Sequence, residues 1–317
     1  MTPAGPSKRR HPMTPRAVIR RVDHWLLCSA PPERLAVLRF AVGGYSLVNV
    51  FISTGEFARL ANRPARQFEP VGLAGLLDGP VSPLALWSLF AISAVGGAAF
   101  VAGAFFRLSG PVFALATLAW ATYHASWGQM LHFEHLVTLH VLLLGISPAA
   151  DALSVDARRA GTADRRPGVR YGWPVRLLAI VTAVTYALAA VAKLRVGGWA
   201  WADGTTLANH IGYSATRLDL LGEPRPPLAT AVVRQSWLLS PLAVSALAVE
   251  LLAPVALLGG WFRRIWVPSV LLFHLGTLTT MFVFFSYNGL GFALLPLYRL
   301  EGLVDLFRRR GGRGKAG

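Results

Sequence analysis

The feature that most constrains this chain is a succession of long apolar runs without a charged side chain. Residues 84–106 form one such run of 23 residues, and residues 265–298 contain no Asp, Glu, Lys or Arg over 34 positions. About 20 apolar residues in a helix cross the hydrocarbon core of a bilayer. Because 54% of the 317 residues are hydrophobic and only 15% are charged, one soluble core cannot account for these runs. The sequence predicts an all-α, polytopic transmembrane helix bundle.

The apolar runs predict about eight spans. A single straight helix over residues 265–298 would be about 51 Å long, so this stretch must break, and the turn sequence Ser286-Tyr287-Asn288-Gly289 marks the place. Paired glycines at 43–44, 96–97 and 259–260 are expected where helices pack closely. The predicted spans are 35–53, 84–106, 111–127, 136–150, 177–192, 238–260, 265–285 and a shorter element at 289–303.

Lys and Arg in short loops predict the orientation, because such loops stay on the cytoplasmic side. With eight spans the basic clusters fall on one side, so both termini are predicted to be cytoplasmic in a multi-pass protein of the cell (plasma) membrane. The domains are then a basic N-terminus with an interfacial helix (1–34), a transmembrane domain (35–303) and a basic tail (304–317). The clusters are residues 8–21, Arg107, 158–176, 263–264 and 308–315.

The formal net charge of +16 does not indicate a nucleic-acid partner. A nucleic-acid footprint forms one basic face, whereas these arginines alternate with apolar spans, so membrane lipids are the expected surroundings. The single cysteine, Cys28, excludes an internal disulfide framework and a thiolate zinc cluster. No cleaved signal peptide is expected, and P-loop, GxSxG and dinucleotide motifs do not occur.

Ionisable side chains within the apolar runs are the candidate functional residues. Lys193 follows sixteen uncharged residues, Glu250 lies within the sixth predicted span, and His274 lies within the seventh. A charge at such depth is costly in a bilayer, so Glu250 should face the bundle interior and find a hydrogen-bond donor. The predicted topology places a further set of candidate residues on the same side of the membrane as Lys193. They are His132, His135, His140, Trp201 and Asp203.

Several interpretations of these residues stay open. In the first, burial and a histidine neighbour make Lys193 a usable base. In the second, the polar groups form interhelical hydrogen bonds worth about 0.6 kcal/mol each, and Lys193 merely reaches the membrane interface. His132 and His135 are three residues apart, but HExxH is absent and no metal is expected. A b-type haem between His140 and His274 is a further alternative.

Several segments together resemble the HTTM family, whose transmembrane domain is shared with vitamin K-dependent gamma-glutamyl carboxylase. The resemblance covers residues 34–299. Its segments are Leu35-Ala-Val-Leu-Arg39-Phe, Glu134-His135-Leu-Val, Ser154-Val-Asp156, Ala192-Lys193-Leu194, Trp201-Ala-Asp203-Gly204, Val249-Glu250-Leu251, Phe273-His274-Leu275 and Phe285-Ser286-Tyr287.

The resemblance implies a carboxylase-like membrane enzyme (carbon–carbon lyase or ligase type) with reduced vitamin K (menaquinol) as cofactor and a peptide substrate. Lys193 matches the base that deprotonates the quinol, and His135 matches the assisting histidine, with His132 as a competitor. We expect no counterpart of the large C-terminal region that holds the peptide in the carboxylase. The alternative is therefore a non-catalytic membrane factor for export or maturation of a peptide, similar to proteins that mature a sporulation-delaying toxin. The implied cavity residues are His132, His140, Trp201, Asp203, Glu250 and His274.

Overall fold

The computed structural model describes residues 23, 25–128, 133–161, 166–304 and 306. These residues form helices and no β-strand, which confirms the predicted all-α class. The helices are α1 (Pro32–Ile52), α2 (Thr54–Leu60), α3 (Pro83–Ala102), α4 (Phe106–Ala125), α5 (Phe133–Gly145), α6 (Val155–Arg159), α7 (Val169–Gly197), α8 (Thr205–Leu220), α9 (Ala229–Arg234), α10 (Ser236–Leu251), α11 (Gly260–Met281) and α12 (Ser286–Gly289). Short 3-10 segments are Ala65–Gln67, Gly72–Leu76, Gly198–Trp201, Ala253–Leu258 and Phe292–Leu297.

Three helical segments in the described part of the chain are long and apolar enough to cross a membrane. They are α1, α3 and the stretch Val169–Trp201, with mean hydropathies of 1.7, 2.0 and 2.0. Large apolar side chains on these helices point outward, among them Phe40, Val95 and Leu188 at 66%, 72% and 60% exposed. Helices that are apolar on their outer faces suit a lipid environment. The number of eight spans and the orientation of the termini stay predictions.

The sixth predicted span is interrupted. α10 ends at Leu251, and the 3-10 segment Ala253–Leu258 replaces the helix that was predicted to reach residue 260. Pro254 has no backbone N–H to continue the helix. Gly259 and Gly260 have φ angles of +75° and +53°, which glycine adopts readily. The prediction of a close helix contact at this glycine pair is therefore wrong, because the pair forms a turn.

The eighth predicted element is mostly not an α-helix. α12 covers four residues, and the 3-10 segment Phe292–Leu297 follows. Gly291, with a φ of +83°, and Pro296 both disfavour a continuous helix here. This irregular backbone is packed inside the protein, where the Ala293 carbonyl accepts a hydrogen bond from Thr182 Oγ1 over 2.9 Å. Such a partner is required wherever irregular backbone lies at membrane depth.

The first half of the bundle packs closely at small residues. A Cβ atom at Gly43 would lie 2.7 Å from the Phe100 ring, and one at Gly97 would lie 2.8 Å from the Phe113 ring. Any larger side chain would push α1, α3 and α4 apart. The predicted close contacts at 43–44 and 96–97 are thereby confirmed at one glycine of each pair.

Two charged side chains fix one end of this half. Arg39 of α1 is 1% exposed and donates a hydrogen bond to the Ala149 carbonyl over 2.8 Å. The carboxylate of Asp156 accepts from the backbone N–H groups of Phe105 and Phe106 at 2.9 and 2.8 Å. A carboxylate at this position stabilises the N-terminus of α4. These contacts join α1 to the chain that follows α5, and the start of α4 to α6.

The second half of the bundle packs α7 against α10 and α11. Its buried core includes Tyr186, Trp266, Val270 and Leu294. The rings of Tyr186 and Trp266 meet edge to face, with centroids 5.4 Å apart and an interplanar angle of 87°. This packing holds the inner face of α7 next to the short helix α10, where the candidate site lies.

Candidate active site

The helix α7 carries three polar side chains on one face. Thr182, Tyr186 and Lys193 follow one another at intervals of four and seven residues. With 3.6 residues per turn, these intervals place them on the same side of the helix. Each has a partner on a different element: His140 on α5, His274 on α11 and Glu250 on α10, respectively.

Lys193 and Glu250 form an ion pair between α7 and α10. Lys193 Nζ donates to Glu250 Oε1, and the two side chains are 24% and 5% exposed. An unpaired carboxylate in this interior would be far more costly than a paired one. The prediction that Glu250 faces the interior and finds a donor agrees with this geometry. The identity of the donor, Lys193, follows only from the way the two helices face each other.

Two aromatic rings flank the ammonium group of Lys193. Nζ lies 5.2 Å from the centroid of Trp201 and 5.5 Å from that of Phe273. Both distances are within the roughly 6 Å over which a cation is attracted to an aromatic face. Trp201 also stacks on His210, with centroids 5.4 Å apart. The structure therefore brings the predicted residue Trp201 to Lys193 and adds Phe273, which the sequence reasoning missed.

His274 lies next to this pair and is 3% exposed. Its Nε2 is 2.7 Å from the Tyr186 hydroxyl oxygen, and Asn288 Nδ2 donates to the same oxygen over 2.8 Å. The simplest assignment has Tyr186 donating to Nε2, which places the hydrogen of the neutral ring on Nδ1. Tyr186 and Asn288 were not predicted. Tyr186 lies two helical turns before Lys193, and this spacing was the signal that could have found it.

Two buried polar atoms at the site have no hydrogen-bond partner among the residues that the structure describes. They are Glu250 Oε2 and His274 Nδ1. Leaving such a group unsatisfied costs about 1–3 kcal/mol, so a water or a ligand that reached either atom would be bound favourably. The carboxylate oxygen accepts hydrogen bonds, and Nδ1 donates when it carries the ring hydrogen. Together they suit a molecule that bears hydroxyl or carbonyl groups.

An apolar cavity of about 340 Å³ adjoins the site between α8, α10 and α11. Val249, next to Glu250, and Phe273, next to His274, belong to its wall. The volume falls within the range of about 300–1,000 Å³ that is typical of small-molecule sites. A ligand with an apolar body and a polar end therefore fits this part of the protein. Other wall residues are Leu207, Ile211, Leu242, Ser245 and Thr277.

His140 has a structural role in this geometry. Its Nδ1 lies 2.7 Å from the Tyr287 hydroxyl, and its Nε2 lies 3.2 Å from both Thr182 Oγ1 and the Leu178 carbonyl. The ring is completely buried. This is the interhelical hydrogen bonding that the sequence left open as an alternative. Because both nitrogens are engaged, His140 offers none to a haem iron.

The predicted pairing of His135 with Lys193 is not found in the described part of the chain. His135 is exposed on α5, on the same face as Leu139, which is 43% exposed. The buried face of α5 includes His140 instead, and Glu250 takes the position of partner to Lys193. His132, the competing histidine, lies outside the described residues.

Asp203 lies at the start of α8 and is exposed. Its Oδ1 accepts a hydrogen bond from the Thr205 backbone N–H over 2.8 Å, and this hydrogen bond lowers the pKa of Asp203. A carboxylate in this place stabilises a helix N-terminus. Its described contact is therefore with the helix backbone rather than with the cavity.

The helices are apolar, and an ion pair and two unpaired polar atoms lie between them. This arrangement is that of a helical membrane protein with an internal polar site. The HTTM domain model matches residues 29–298, which include every residue of this site. The chain belongs to the HTTM family. None of the curated proteins and none of the solved structures matches it.

Proposed function

We propose that this protein is a multi-pass membrane enzyme of the carboxylase-like type, in which Lys193 acts as a base toward a lipid-soluble, quinol-type molecule. One observation carries the proposal: the ion pair of Lys193 and Glu250 lies beside an apolar cavity, with Glu250 Oε2 and His274 Nδ1 unpaired among the described residues. In this proposal the bundle has about eight spans and lies in the plasma membrane with both termini in the cytoplasm.

Reduced vitamin K, the cofactor implied by the resemblance, suits these residues. The cavity can take an apolar ring and part of its chain. Glu250 and His274 follow the wall residues Val249 and Phe273 in the sequence, and in this proposal the hydroxyl groups of the quinol reach their two unpaired atoms past these wall residues. Trp201 and Phe273 offer aromatic faces beside Lys193. When bound, such a quinol supplies a hydroxyl proton and reducing equivalents. Glu250 and His274 would orient it, and Lys193 would receive the proton.

Glu250 provides the means by which Lys193 becomes a base. An ammonium group cannot accept a proton, so Nζ must first release one, and Glu250 Oε1 is the acceptor in direct contact. The transfer turns two charges into a neutral amine and a neutral carboxylic acid. Burial opposes charged forms, so the interior does not penalise this change. Lys193 Nζ then holds the lone pair that takes a proton from a hydroxyl group in the cavity.

Variants of Lys193 test the proposal. Purified protein in lipid nanodiscs is supplied with reduced vitamin K, radiolabelled carbon dioxide and a glutamate-containing peptide, and label incorporation is measured. A general base contributes about 10²–10⁴-fold to a rate, so Lys193→Ala and Lys193→Arg should each lower turnover by that factor. Arg195→Gln removes an exposed cation two residues away and serves as the control. Full turnover in Lys193→Arg would contradict the role of base.

The second candidate function is a non-catalytic membrane factor that helps to export or mature a peptide. It is favoured by the hydrogen bonds of His140, Thr182 and Tyr186, which already join helices without any ligand. In such a factor Lys193→Arg should keep peptide export, because arginine can still pair with Glu250. An export assay and the turnover assay on this one variant therefore separate the two functions.

A further inference from the structure

A second cavity, whose wall is polar, lies at the end of the bundle where α1, α7 and α11 begin. It has a volume of about 430 Å³, and we call it the basic pocket. Arg176 of α7 lines it, and Lys193 follows on the same helix about 25 Å away at 1.5 Å per residue. The basic pocket is thus separate from the candidate active site. Its polar wall consists of Arg34, Arg176, Arg263 and Arg299, with Trp25 and Tyr298 beside them.

The positive charge of the basic pocket is only partly compensated. Arg34 forms a two-pronged ion pair with Glu301, at 2.8 and 2.5 Å. Arg176 and Arg263 instead donate to neutral partners, a thiol and a backbone carbonyl. In the part of the chain that the structure describes, no ion pair joins a carboxylate to Arg176, Arg263 or Arg299. Glu301 also interacts electrostatically with Arg299, so it offsets part of the charge of the four guanidinium groups. The remaining positive charges repel one another, so an anion would stabilise the pocket.

Hydrogen-bond donors for that anion come from Arg263 and from the start of α11. Arg263 Nε is buried and has no partner among the described residues. The start of α11 lies at the same wall, because Gly259 and Gly260 line the pocket. Among the described residues, no side chain caps this helix. The first N–H groups of a helix lack partners within the helix, and its N-terminus carries partial positive charge. A Cβ atom at either glycine would meet nothing within 4 Å, so the approach is open.

We infer that the basic pocket binds the phosphate of an anionic phospholipid headgroup. Guanidinium groups bind phosphate through paired N–H donors, and a helix N-terminus adds to such a site. The lipid source is favoured by the apolar side chains beside the pocket: Leu258, Trp261 and Phe262 are 73%, 70% and 48% exposed. Tryptophan is enriched at the level of lipid headgroups. The positive-inside prediction assigns this end to the cytoplasmic leaflet, which is rich in anionic lipid.

The experiment is a lipid titration of the delipidated full chain in detergent, followed by native mass spectrometry. The probes are dioleoylphosphatidylglycerol, dioleoylphosphatidylcholine and inorganic phosphate as a competitor. Arg299→Gln is the main variant, because Arg299 is exposed and makes no described hydrogen bond whose loss would disturb the fold. Arg263→Gln is added to it in a double variant. The matched control is Arg264→Gln, which removes a neighbouring exposed cation that does not line the pocket.

Each arginine near a membrane surface contributes about 1 kcal/mol, which corresponds to roughly fivefold in affinity. We therefore expect Arg299→Gln to weaken phosphatidylglycerol binding about fivefold and the double variant about 25-fold. Arg264→Gln should bind like the wild type, phosphatidylcholine should bind more weakly, and phosphate should compete only at much higher concentration. Equal binding of the two lipids, or equal loss in Arg264→Gln, would overturn the inference. If inorganic phosphate displaced phosphatidylglycerol at equal concentration, the inference that the bound phosphate belongs to a lipid would be overturned.

Discussion

Arg39 and Lys193 are both cations within the helix bundle, and their surroundings differ. Arg39 is 1% exposed, and its guanidinium donates to the carbonyls of Ala149 and Leu153 at 2.8 and 2.7 Å. A Cβ atom at Gly103 would lie 2.8 Å from Arg39 Nη1, so the guanidinium packs directly against this glycine. Lys193 is 24% exposed, pairs with a carboxylate and lies near a cavity. Arg39 is held in place by backbone, whereas Lys193 faces a group that can take its proton.

This difference shows which features separate a structural charge from a functional one. Arg39 Nε and Glu250 Oε2 are both buried without a partner among the described residues, so an unpaired atom alone does not identify a site. A guanidinium keeps its proton at any physiological pH, while a lysine can release one. Proton exchange with Glu250 and the adjoining cavity distinguish Lys193. We expect the Arg39 region to control stability and the Lys193 region to control chemistry.

The largest effect on stability is expected from Arg39→Leu. The substitution leaves two buried carbonyls without their donor, at about 1–3 kcal/mol each, so the loss should reach about 2–6 kcal/mol. It should appear as a clear drop of the midpoint of thermal unfolding in detergent. Arg107→Gln, at the same end of the bundle and exposed, is the control. An unchanged midpoint of thermal unfolding in Arg39→Leu would contradict the structural role assigned to Arg39.

A smaller loss is expected from Tyr186→Phe, because the hydroxyl contacts both His274 and Asn288. Leaving these two buried groups without their shared partner should cost about 1–3 kcal/mol. Thermal unfolding measures this loss of stability. The control is Tyr213→Phe, because the side chain of Tyr213 is 68% exposed. If Tyr186→Phe keeps wild-type stability but loses turnover, the hydroxyl belongs to the chemistry rather than to the packing.

The double variant Lys193→Met with Glu250→Gln should be close to the wild type in stability. Replacing both members of a buried ion pair by neutral groups of similar size is often neutral. Turnover should nevertheless fall to the level of Lys193→Ala, because neither the base nor its proton acceptor remains. Thermal unfolding and the carboxylation assay are measured on the same preparation. A midpoint that falls as far as that of Arg39→Leu would show that the pair is structural as well.

The smallest effect is expected from Asp203→Ala. The Thr205 N–H lowers the pKa of Asp203, so its stabilising effect is present above the unfolded pKa of about 3.9 and is lost as the pH falls through the lower folded pKa. The variant should unfold at a slightly lower temperature at pH 7, and this difference should vanish in strongly acidic buffer. Turnover should not change. A loss of turnover would return Asp203 to the candidate site.

Much of the fold could be predicted from local sequence. The starts of α1 and α3 coincide with Pro32 and Pro83, which suit the first turn of a helix, and Ser82 caps α3 through a bond to the Ala85 N–H. Pro254 indicates the end of α10, but the apolar run continues past it, so hydropathy predicts one span to residue 260. Hydropathy reports composition, whereas proline and glycine geometry decide where the helix stops.

The candidate site was predictable only in part. The cost of a buried charge identified Lys193, Glu250 and His274 as residues that need partners. Their pairing depends on which faces of α7, α10 and α11 meet, and no local pattern encodes that. The resemblance to the family predicts His135 from its spacing, which gives a position along α5 but not the face on which the side chain lies. In the structure His140 lies on the buried face of α5, whereas His135 is exposed.

The most direct test of the role of Lys193 is a density map of the protein in lipid nanodiscs saturated with reduced vitamin K. The proposal predicts a planar ligand in the cavity beside Phe273, with a polar atom within hydrogen-bond distance of Lys193 Nζ, Glu250 Oε2 or His274 Nδ1. The double variant Lys193→Met with Glu250→Gln should show weaker density at the same place. A wild-type cavity that is closed and tightly packed, with no ligand density beside Lys193, would contradict the proposed role of this residue.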